Sequence, residues 1–237
     1  MLTRLNFTVL FSSVFFLSSH ALAVGKPVSQ EKIKTSIVKG AKFLYQSQNA
    51  TGWWSDSGLP ALTGLTLVAL EMADAKKLAA KYESERRRAY DYLTSLAKPD
   101  GSIHDGRLIN YNTACSLMAL SMANETRYRP LIEKARAYIA ASQIDLGEKG
   151  KQDNANDGGV RYNDKHDHSD MNNTLMAIEA MRMSESALRR KDQGKQPLKH
   201  DLDWKALEHF LASCQNLPEH SDNPNLSTQP KDRGGFI

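Results

Sequence analysis

The sequence lacks an apolar run of transmembrane length, a strong net charge and a cysteine framework. Its apolar stretch near the N-terminus, residues 7–17, is too short to cross a bilayer as a helix, which needs about 20 residues. The formal net charge is only +4, so the composition gives no argument for a nucleic-acid partner. Two cysteines permit at most one disulfide, so the fold must depend on helix packing.

The N-terminus has the parts of a secretory signal peptide. Arg4 gives the positive start, an apolar stretch follows, and Ala21 with Ala23 forms an A-x-A cleavage site. We therefore predict a signal peptide at residues 1–23 and a mature domain at residues 24–237 that is periplasmic or secreted. After cleavage we expect no stable membrane span, and an uncleaved N-terminal anchor is the alternative.

One basic run and the two cysteines are interpreted as structural. Residues 86–88 are all arginine and follow Glu83 and Glu85, which predicts a solvated helix start. A membrane-surface or polyanion site is the alternative for this run. Cys115 and Cys214 each lie in an apolar helical pattern, which favours two buried free thiols over one disulfide.

A short pattern occurs four times along the chain. Each copy has an aromatic-aliphatic pair on a predicted helix, then a glycine turn and, usually, another aromatic residue. The four pairs are Phe43-Leu44, Tyr92-Leu93, Tyr138-Ile139 and Phe210-Leu211. The four turn glycines are Gly52, Gly101, Gly158 and Gly234. Such a repeat indicates supersecondary units whose apolar faces are covered by their neighbours.

A more apolar helix is predicted after each of the first three turns. Residues 62–72 are apolar almost all the way round, which is typical of a helix that is buried on most sides. Similar segments begin near Thr113 and Thr174, and no segment has strand-like alternation with turn residues. We therefore predict an all-α fold of stacked helical hairpins, with three complete hairpins and the first helix of a fourth. An ordinary open helical solenoid is the alternative.

The repeated unit resembles the QW repeat of squalene–hopene and oxidosqualene cyclases. Related repeats occur in protein prenyltransferase β subunits and in many exported bacterial proteins. The first copy carries the resemblance most clearly, through Gln48, Gly52 and Trp53 or Trp54. The match extends over residues 37–237, which is most of the predicted mature chain.

The other copies match less completely. The third keeps Gln143 and residues 157–159, but Tyr162 replaces the tryptophan. The second has Leu96 in place of the glutamine and Ser102 in place of the aromatic residue. The resemblance implies an (α/α) toroid, with inner and outer rings of helices around a central cavity. A closed ring of this family has more hairpins than this sequence holds, so the resemblance also implies an N-terminal fragment.

The glutamine and the aromatic residues of the repeat have a mechanical interpretation. A glutamine near the end of a helix, such as Gln48, can bond backbone groups that the helix end leaves free. The aromatic residue can pack over the glycine turn and against the next repeat. We therefore interpret Trp53 and Trp54 as structural residues and not as substrate contacts.

The acid cluster with which cyclases of this family start their reaction is not recognisable here. It has the form Asp-x-Asp-Asp, and no such run occurs in the chain. The nearest cluster is residues 164–170, in which Asp170 is a candidate general acid oriented by His168. The alternative is that Ser169 or Asp170 caps a helix that begins near Met171.

The sequence predicts neither a bound metal nor a cofactor. Prenyltransferase β subunits bind zinc partly through an Asp-x-Cys pair, whereas Thr113 and Ala212 stand two residues before the cysteines here. Residues 153–158 partly match a calcium loop, but Ala155 takes a ligand position.

The predicted ligand-binding residues are Tyr111, Asn112 and Asn173, because they lie where the apolar helices begin and would form a polar rim around a cavity. We expect a binding or scaffold role, with a hydrophobic small molecule as ligand and no nucleic acid. The alternative is a terpene cyclase-like isomerase acting on a squalene-like isoprenoid, with its acid motif in a missing C-terminal part. A third hypothesis is a glycan-active enzyme that uses paired carboxylates.

Overall fold

The computed structural model describes residues 29–73, 76–163, 168–192, 198–219, 221, 223 and 226–236, so the predicted signal peptide lies outside the described residues. The helices of these ranges are α1 (Gln30–Gln46), α2 (Pro60–Met72), α3 (Lys76–Lys81), α4 (Glu83–Ser95), α5 (Ile109–Met122), α6 (Arg129–Ala141), α7 (Met171–Asp192) and α8 (Trp204–Cys214). Two short 3-10 helices are Thr126–Tyr128 and Pro230–Asp232. The described residues contain isolated β-bridges but no β-strand, which confirms the all-α class.

The starts of the helices follow from the sequence. α1 begins after Ser29, whose Oγ accepts a hydrogen bond from the backbone N–H of Lys32 at 3.3 Å. α8 begins after Asp203, whose carboxylate accepts from the backbone N–H of Ala206 at 3.0 Å. α2 begins with Pro60, which suits the first turn because it has no N–H to satisfy. No helix in the described ranges is long and apolar enough to cross a membrane.

α5 lies at the centre of the packing. It contacts α2, α6 and α7, and nearly all of its residues are buried. Burial of each leucine on α5, such as Leu117 and Leu120, contributes about 1.5–3 kcal/mol. α2 approaches α5 closely at Gly64, where a Cβ atom would overlap the carbonyl oxygen of Cys115.

Two groups of helices can be named from these contacts. The core helices are α2, α5 and α7, which pack against one another through α5. The flanking helices are α1, α4, α6 and α8, which are amphipathic and precede the four glycine turns. α1 and α4 pack against α2, while α6 packs against α5 and α7.

Arg136 joins α6 to two later segments of the chain. Its side chain is only 2% exposed, and Nη1 donates to the carbonyl oxygen of Met181 at 2.5 Å and to Ser184 Oγ at 2.7 Å. Nη2 donates to the carbonyl oxygen of His200 at 3.0 Å, and Asp201 lies 3.5 Å away. The guanidinium therefore holds α6, α7 and the segment before α8 together.

The prediction that residues 86–88 form a solvated helix start is wrong for Arg86, whose side chain is 15% exposed. Arg86 is half-buried, with Nε 2.6 Å from Glu71 Oε1 on α2 and Nη1 3.5 Å from Glu125. Arg88 donates to Gln48 Oε1 at 3.3 Å in the first turn. Arg86 is buried in this way because α4 packs against α2 along this stretch, whereas the Arg88 side chain is 41% exposed and Arg87 is exposed.

Cys115 and Cys214 are both buried and neither forms a disulfide, which confirms the prediction of two free thiols. Burial raises the pKa of the Cys115 thiol to about 12, although a hydrogen bond with Tyr111 acts in the opposite direction. Burial also raises the pKa of Cys214. Since a thiolate is the reactive form of cysteine, neither residue has the properties of a nucleophile.

Candidate functional site

The glutamine of the repeat connects its own turn to the next flanking helix. Gln48 Nε2 donates to the carbonyl oxygen of Gly52 at 2.9 Å and to that of Glu85, on α4, at 2.8 Å. Gln143 makes the same pair of bonds, to Gly158 at 2.8 Å and to Asp203 at 3.0 Å. The glutamine thus bonds backbone groups in both turns, as predicted. Gln143 also satisfies an N–H that the helix start leaves free, because its Oε1 accepts from the backbone N–H of Asp203 at 2.8 Å, whereas the Asp203 carbonyl oxygen already accepts from Leu207.

The turn glycines are in contact with the backbone of the next flanking helix. A Cβ atom on Gly101 would overlap the carbonyl oxygen of Lys134 on α6, and the φ of Gly101 is +96°, in the left-handed region. The other two such contacts join Gly52 to Arg88 and Gly158 to Ala206. In each of the first three turns, the backbone of the next flanking helix therefore packs directly against a glycine, at a distance that leaves no room for a side chain.

A threonine of each core helix holds the turn that precedes it. The backbone N–H of Ile103 donates to Thr113 Oγ1 at 2.9 Å, and that of Val160 donates to Thr174 Oγ1 at 2.8 Å. The first turn has the equivalent bond, at 3.2 Å, from Trp54 to Thr63. These bonds place the turns beside the N-terminal ends of the core helices.

The candidate site lies at the end of the molecule where the core helices begin. Asn112 Oδ1 accepts from the backbone N–H of Ala61, in the first turn of α2, at 2.9 Å. Asn110 Nδ2 donates to the carbonyl oxygen of Arg161, close to the start of α7, at 2.6 Å. The starts of α2, α5 and α7 therefore lie close together. We call this end the polar rim and define it by Asn110, Tyr111, Asn112, Asp170 and Asn173.

Asp170 caps α7. Its Oδ1 accepts from the backbone N–H of Asn173 and from Asn173 Nδ2, each at 2.7 Å. This bond pattern confirms the capping alternative for Asp170. His168 is exposed two residues earlier, and residues 164–167 of the predicted acid cluster lie outside the described residues. Acid catalysis by Asp170 and His168 stays a prediction.

Two amide oxygens of the polar rim are buried and have no hydrogen-bond partner. They are Oδ1 of Asn110, on a residue that is 1% exposed, and Oδ1 of Asn173, on a residue that is 3% exposed. A buried acceptor left unpaired costs about 1–3 kcal/mol, so each of these oxygens needs an explanation. Asn173 was predicted as a ligand contact from its position, whereas the unpaired oxygen of Asn110 has no signal in the sequence.

Tyr111 and Asn112 differ in their burial and in their hydrogen bonds. Asn112 is fully buried and is bonded through both ends of its amide, because Nδ2 also donates to the carbonyl oxygen of Arg107 at 2.7 Å. Tyr111 is half-buried. Burial is the main cause that raises the pKa of its hydroxyl, and the neighbouring Cys115 thiol raises it further. At neutral pH the Tyr111 hydroxyl is therefore uncharged and can act as a hydrogen-bonding group of the rim.

A separate cleft of about 590 Å³ lies against α6 and the segment before α8. It is lined by Arg129, Pro130, Glu133, Lys134, Arg136, Ala137, Leu188, Leu198, Lys199 and His200. Glu133, the carboxylate in this lining, forms an ion pair with Arg129 at 2.9 Å. The described lining thus contains no pair of opposed carboxylates of the kind that glycoside hydrolysis uses.

The loop that partly matches a calcium site uses its central carboxylate internally. Asp157 is buried, and its two oxygens accept from the backbone N–H groups of Leu146, Asp153 and Asn154 at 2.7–3.1 Å. Across the described part of the chain, no three His, Cys, Asp or Glu side chains lie close enough to hold a metal ion together.

Comparison with known proteins leaves the family open. No protein-family model, no curated protein and no solved structure matches this chain.

Proposed function

We propose that the chain is a helical-hairpin repeat protein of the α/α-toroid type that binds a small molecule at the polar rim. The repeated contacts of the turns support the hairpin arrangement, since the same bond pattern recurs from one unit to the next. The polar rim is the binding surface in this proposal because it combines half-buried and buried polar groups at the start of three helices.

The observation that carries the proposal is the pair of unpaired buried oxygens of Asn110 and Asn173. A carbonyl oxygen is an acceptor, so the matching ligand group is a donor such as a hydroxyl, amine or amide N–H. Leu175, which is exposed one turn into α7, offers apolar surface near this end of the helix. The ligand class that fits is an apolar molecule with a hydroxyl head, for example an isoprenoid alcohol.

Binding and acid catalysis make different demands on Asp170. For binding, the carboxylate serves as a helix cap that fixes the orientation of Asn173. For the alternative, an isomerase acting on a squalene-like isoprenoid, Asp170 must be protonated and reach a double bond. Both cap bonds go to Oδ1, and this arrangement is the observation that keeps the isomerase as a second candidate.

The test uses three variants and two assays. Binding of farnesol and of a hydrocarbon without a hydroxyl is measured by calorimetry, and product formation from squalene is measured by gas chromatography. We expect farnesol to bind and Asn173→Ala to weaken it about tenfold, which corresponds to one hydrogen bond. Asn216→Ala is the matched control, because Asn216 is a buried, hydrogen-bonded asparagine outside the polar rim; its loss should lower stability and leave the affinity of the folded protein unchanged.

The isomerase is tested with Asp170→Asn, which keeps a capping side chain and removes the acid. Conversion of squalene that disappears in this variant would establish the isomerase and displace the binding role. If the wild type neither binds farnesol in calorimetry nor forms a product from squalene, the proposal is contradicted.

A further inference from the structure

The cleft of about 590 Å³ has no part in the proposed function, and we call it the α6 cleft. Its lining comes from residues 129–137 of α6, from Leu188 on α7 and from residues 198–200 before α8. Leu188 follows Met171, the first residue of α7, by 17 residues, so about 25 Å of helix separate the cleft from the polar rim. A cleft of this size suits a small-molecule ligand.

The inner part of the α6 cleft is buried and largely apolar. Leu188 and Arg136 are both buried, while Ala137 and Leu198 are half-buried. The buried lining residues form the floor of the cleft, and the exposed ones stand at its edge. The floor can therefore cover part of an apolar chain, which is favourable because apolar surface is removed from water.

Arg136 brings a positive charge into this floor. Three of the oxygens that it bonds are uncharged, namely the carbonyl oxygens of Met181 and His200 and the hydroxyl of Ser184. Asp201, its carboxylate partner, is 3.5 Å away and partly exposed. Burial lowers the pKa of Arg136 and Asp201 opposes this effect, but an arginine remains protonated at neutral pH. A buried cation with mainly neutral partners favours an anion nearby.

Two lysines at the edge of the α6 cleft add charge. Lys134 and Lys199 are exposed lining residues, and neither forms an ion pair within the described part of the chain. Glu133, the carboxylate of the described lining, is already paired with Arg129 at 2.9 Å. With Asp201 included, the described residues give four cationic side chains and two carboxylates, which leaves a net charge of +2.

We infer that the α6 cleft binds an apolar chain with an acidic head group, such as a carboxylate or a phosphate monoester. The head group lies at the edge, between Lys134 and Lys199, and the chain lies on the apolar floor. Lysine ammonium groups act as point charges, so they accept a carboxylate and a phosphate alike. The polar rim has the opposite preference, because its unpaired groups are oxygen acceptors that repel an anion.

The first test compares laurate, dodecyl phosphate and dodecanol, which share one alkyl chain and differ in the head group. Binding to the full chain is measured by calorimetry, with each ligand below its micellar concentration. We expect an acidic ligand to bind at least about tenfold more tightly than dodecanol, and this advantage to decrease as salt is added. Decanoate should bind about fivefold to fifteenfold more weakly than laurate, because two methylene groups are no longer buried. The tighter of laurate and dodecyl phosphate identifies the head group.

The second test removes the charges at the edge of the cleft. Lys134→Gln and Lys199→Gln should each weaken laurate binding about threefold to tenfold and leave dodecanol binding unchanged. Lys98→Gln is the matched control, because Lys98 is an exposed lysine outside the cleft. Asn173→Ala should also leave laurate binding unchanged, so a failure of the polar-rim proposal is seen separately as a loss of farnesol binding alone.

Two results overturn the inference. One is that laurate and dodecyl phosphate bind no more tightly than dodecanol. The other is that the double variant Lys134→Gln/Lys199→Gln, folded according to circular dichroism, binds laurate as the wild type does. If the double variant does not fold, the comparison of head groups and the salt dependence of the wild type decide the question.

Discussion

The Asp170 carboxylate can be assigned a structural contribution independently of any chemistry. It accepts two bonds at the first turn of α7, one of them from a backbone N–H that the helix leaves free. Asp170→Ala should therefore lower the free energy of unfolding by about 1 kcal/mol, while Asp170→Asn should change it by a few tenths. Urea unfolding followed by circular dichroism measures both. Equal destabilisation by the two substitutions would contradict the capping role.

Arg136 is a second residue whose effect is large because it is buried. It donates from a buried position to the backbone oxygens of Met181 and His200, so its removal takes away the hydrogen bonds that join α6 to α7 and to the segment before α8. We expect Arg136→Leu to lower the free energy of unfolding by about 3–5 kcal/mol. Arg189→Leu is the control, since Arg189 is exposed and its ion pair with Glu185 should contribute less than about 1 kcal/mol. Both changes are measured by chemical unfolding, and a similar loss of unfolding free energy in the two variants would show that burial of Arg136 is not the cause.

At the scale of the element, the first three glycine turns are contact points for the flanking helix that follows each of them. A turn glycine can be required for its positive φ or for its close contact with a helix. Gly101 and Gly234 separate these two requirements, because both have a positive φ but, among the described residues, only Gly101 touches a helix. Gly101→Ala should lower the free energy of unfolding by about 2–5 kcal/mol, from backbone strain plus overlap with the carbonyl of Lys134. Gly234→Ala should cost about 1–2 kcal/mol, from strain alone. Urea unfolding followed by circular dichroism measures both, and equal losses would argue against the contact between Gly101 and α6.

α4 shows how an element takes its role from its neighbours. Its Arg86 guanidinium reaches Glu71 on α2, and Tyr90 on the same helix donates to Glu71 Oε1 at 3.3 Å. Burial opposes the charge of Arg86, but the hydrogen bond with Glu71 raises its pKa above the ordinary value. Burial, followed by the charge of Glu71, raises the pKa of Tyr90. A helix start that is rich in arginine is therefore part of the packing and not a solvated surface.

At the scale of the whole molecule, carboxylates in several turns predict the response to acid. The backbone N–H of Gly58 lowers the pKa of Asp56, and the Ser84 hydroxyl lowers that of Glu85. Burial acts to raise the pKa of Asp100, but the hydrogen bonds from the Ser102 hydroxyl and backbone N–H, with the nearby His104, together outweigh it and lower the pKa. A carboxylate whose pKa is lowered in the folded state stabilises the fold fully when the pH is above its ordinary pKa, which is 3.8 for aspartate and 4.5 for glutamate. This stability is lost as the pH falls through the lowered pKa.

The melting temperature should therefore decrease as the pH is lowered from about 5 to about 3. Differential scanning fluorimetry across this range measures the change. Asp100→Asn should flatten the pH dependence, because it removes one titrating group from the second turn. An unchanged slope in this variant would mean that other carboxylates dominate.

Local patterns determined the elements of this protein. The helices, the four glycine turns and the buried thiols could be predicted because periodicity and turn chemistry depend on residues a few positions apart. The use of Gln48 and Gln143 as backbone donors was also predictable, since a turn after a helix leaves carbonyl groups, here those of Gly52 and Gly158, without an intrahelical partner.

The tertiary structure alone decided which polar groups are used and which are left over. Asn112 accepts from a backbone N–H in the first turn of α2, 51 residues earlier, and Arg136 donates to an oxygen 64 residues later. The unpaired oxygens of Asn110 and Asn173 follow from the same packing. A sequence lists hydrogen-bonding groups but not their partners, because the partners are brought together only when distant segments of the chain pack together.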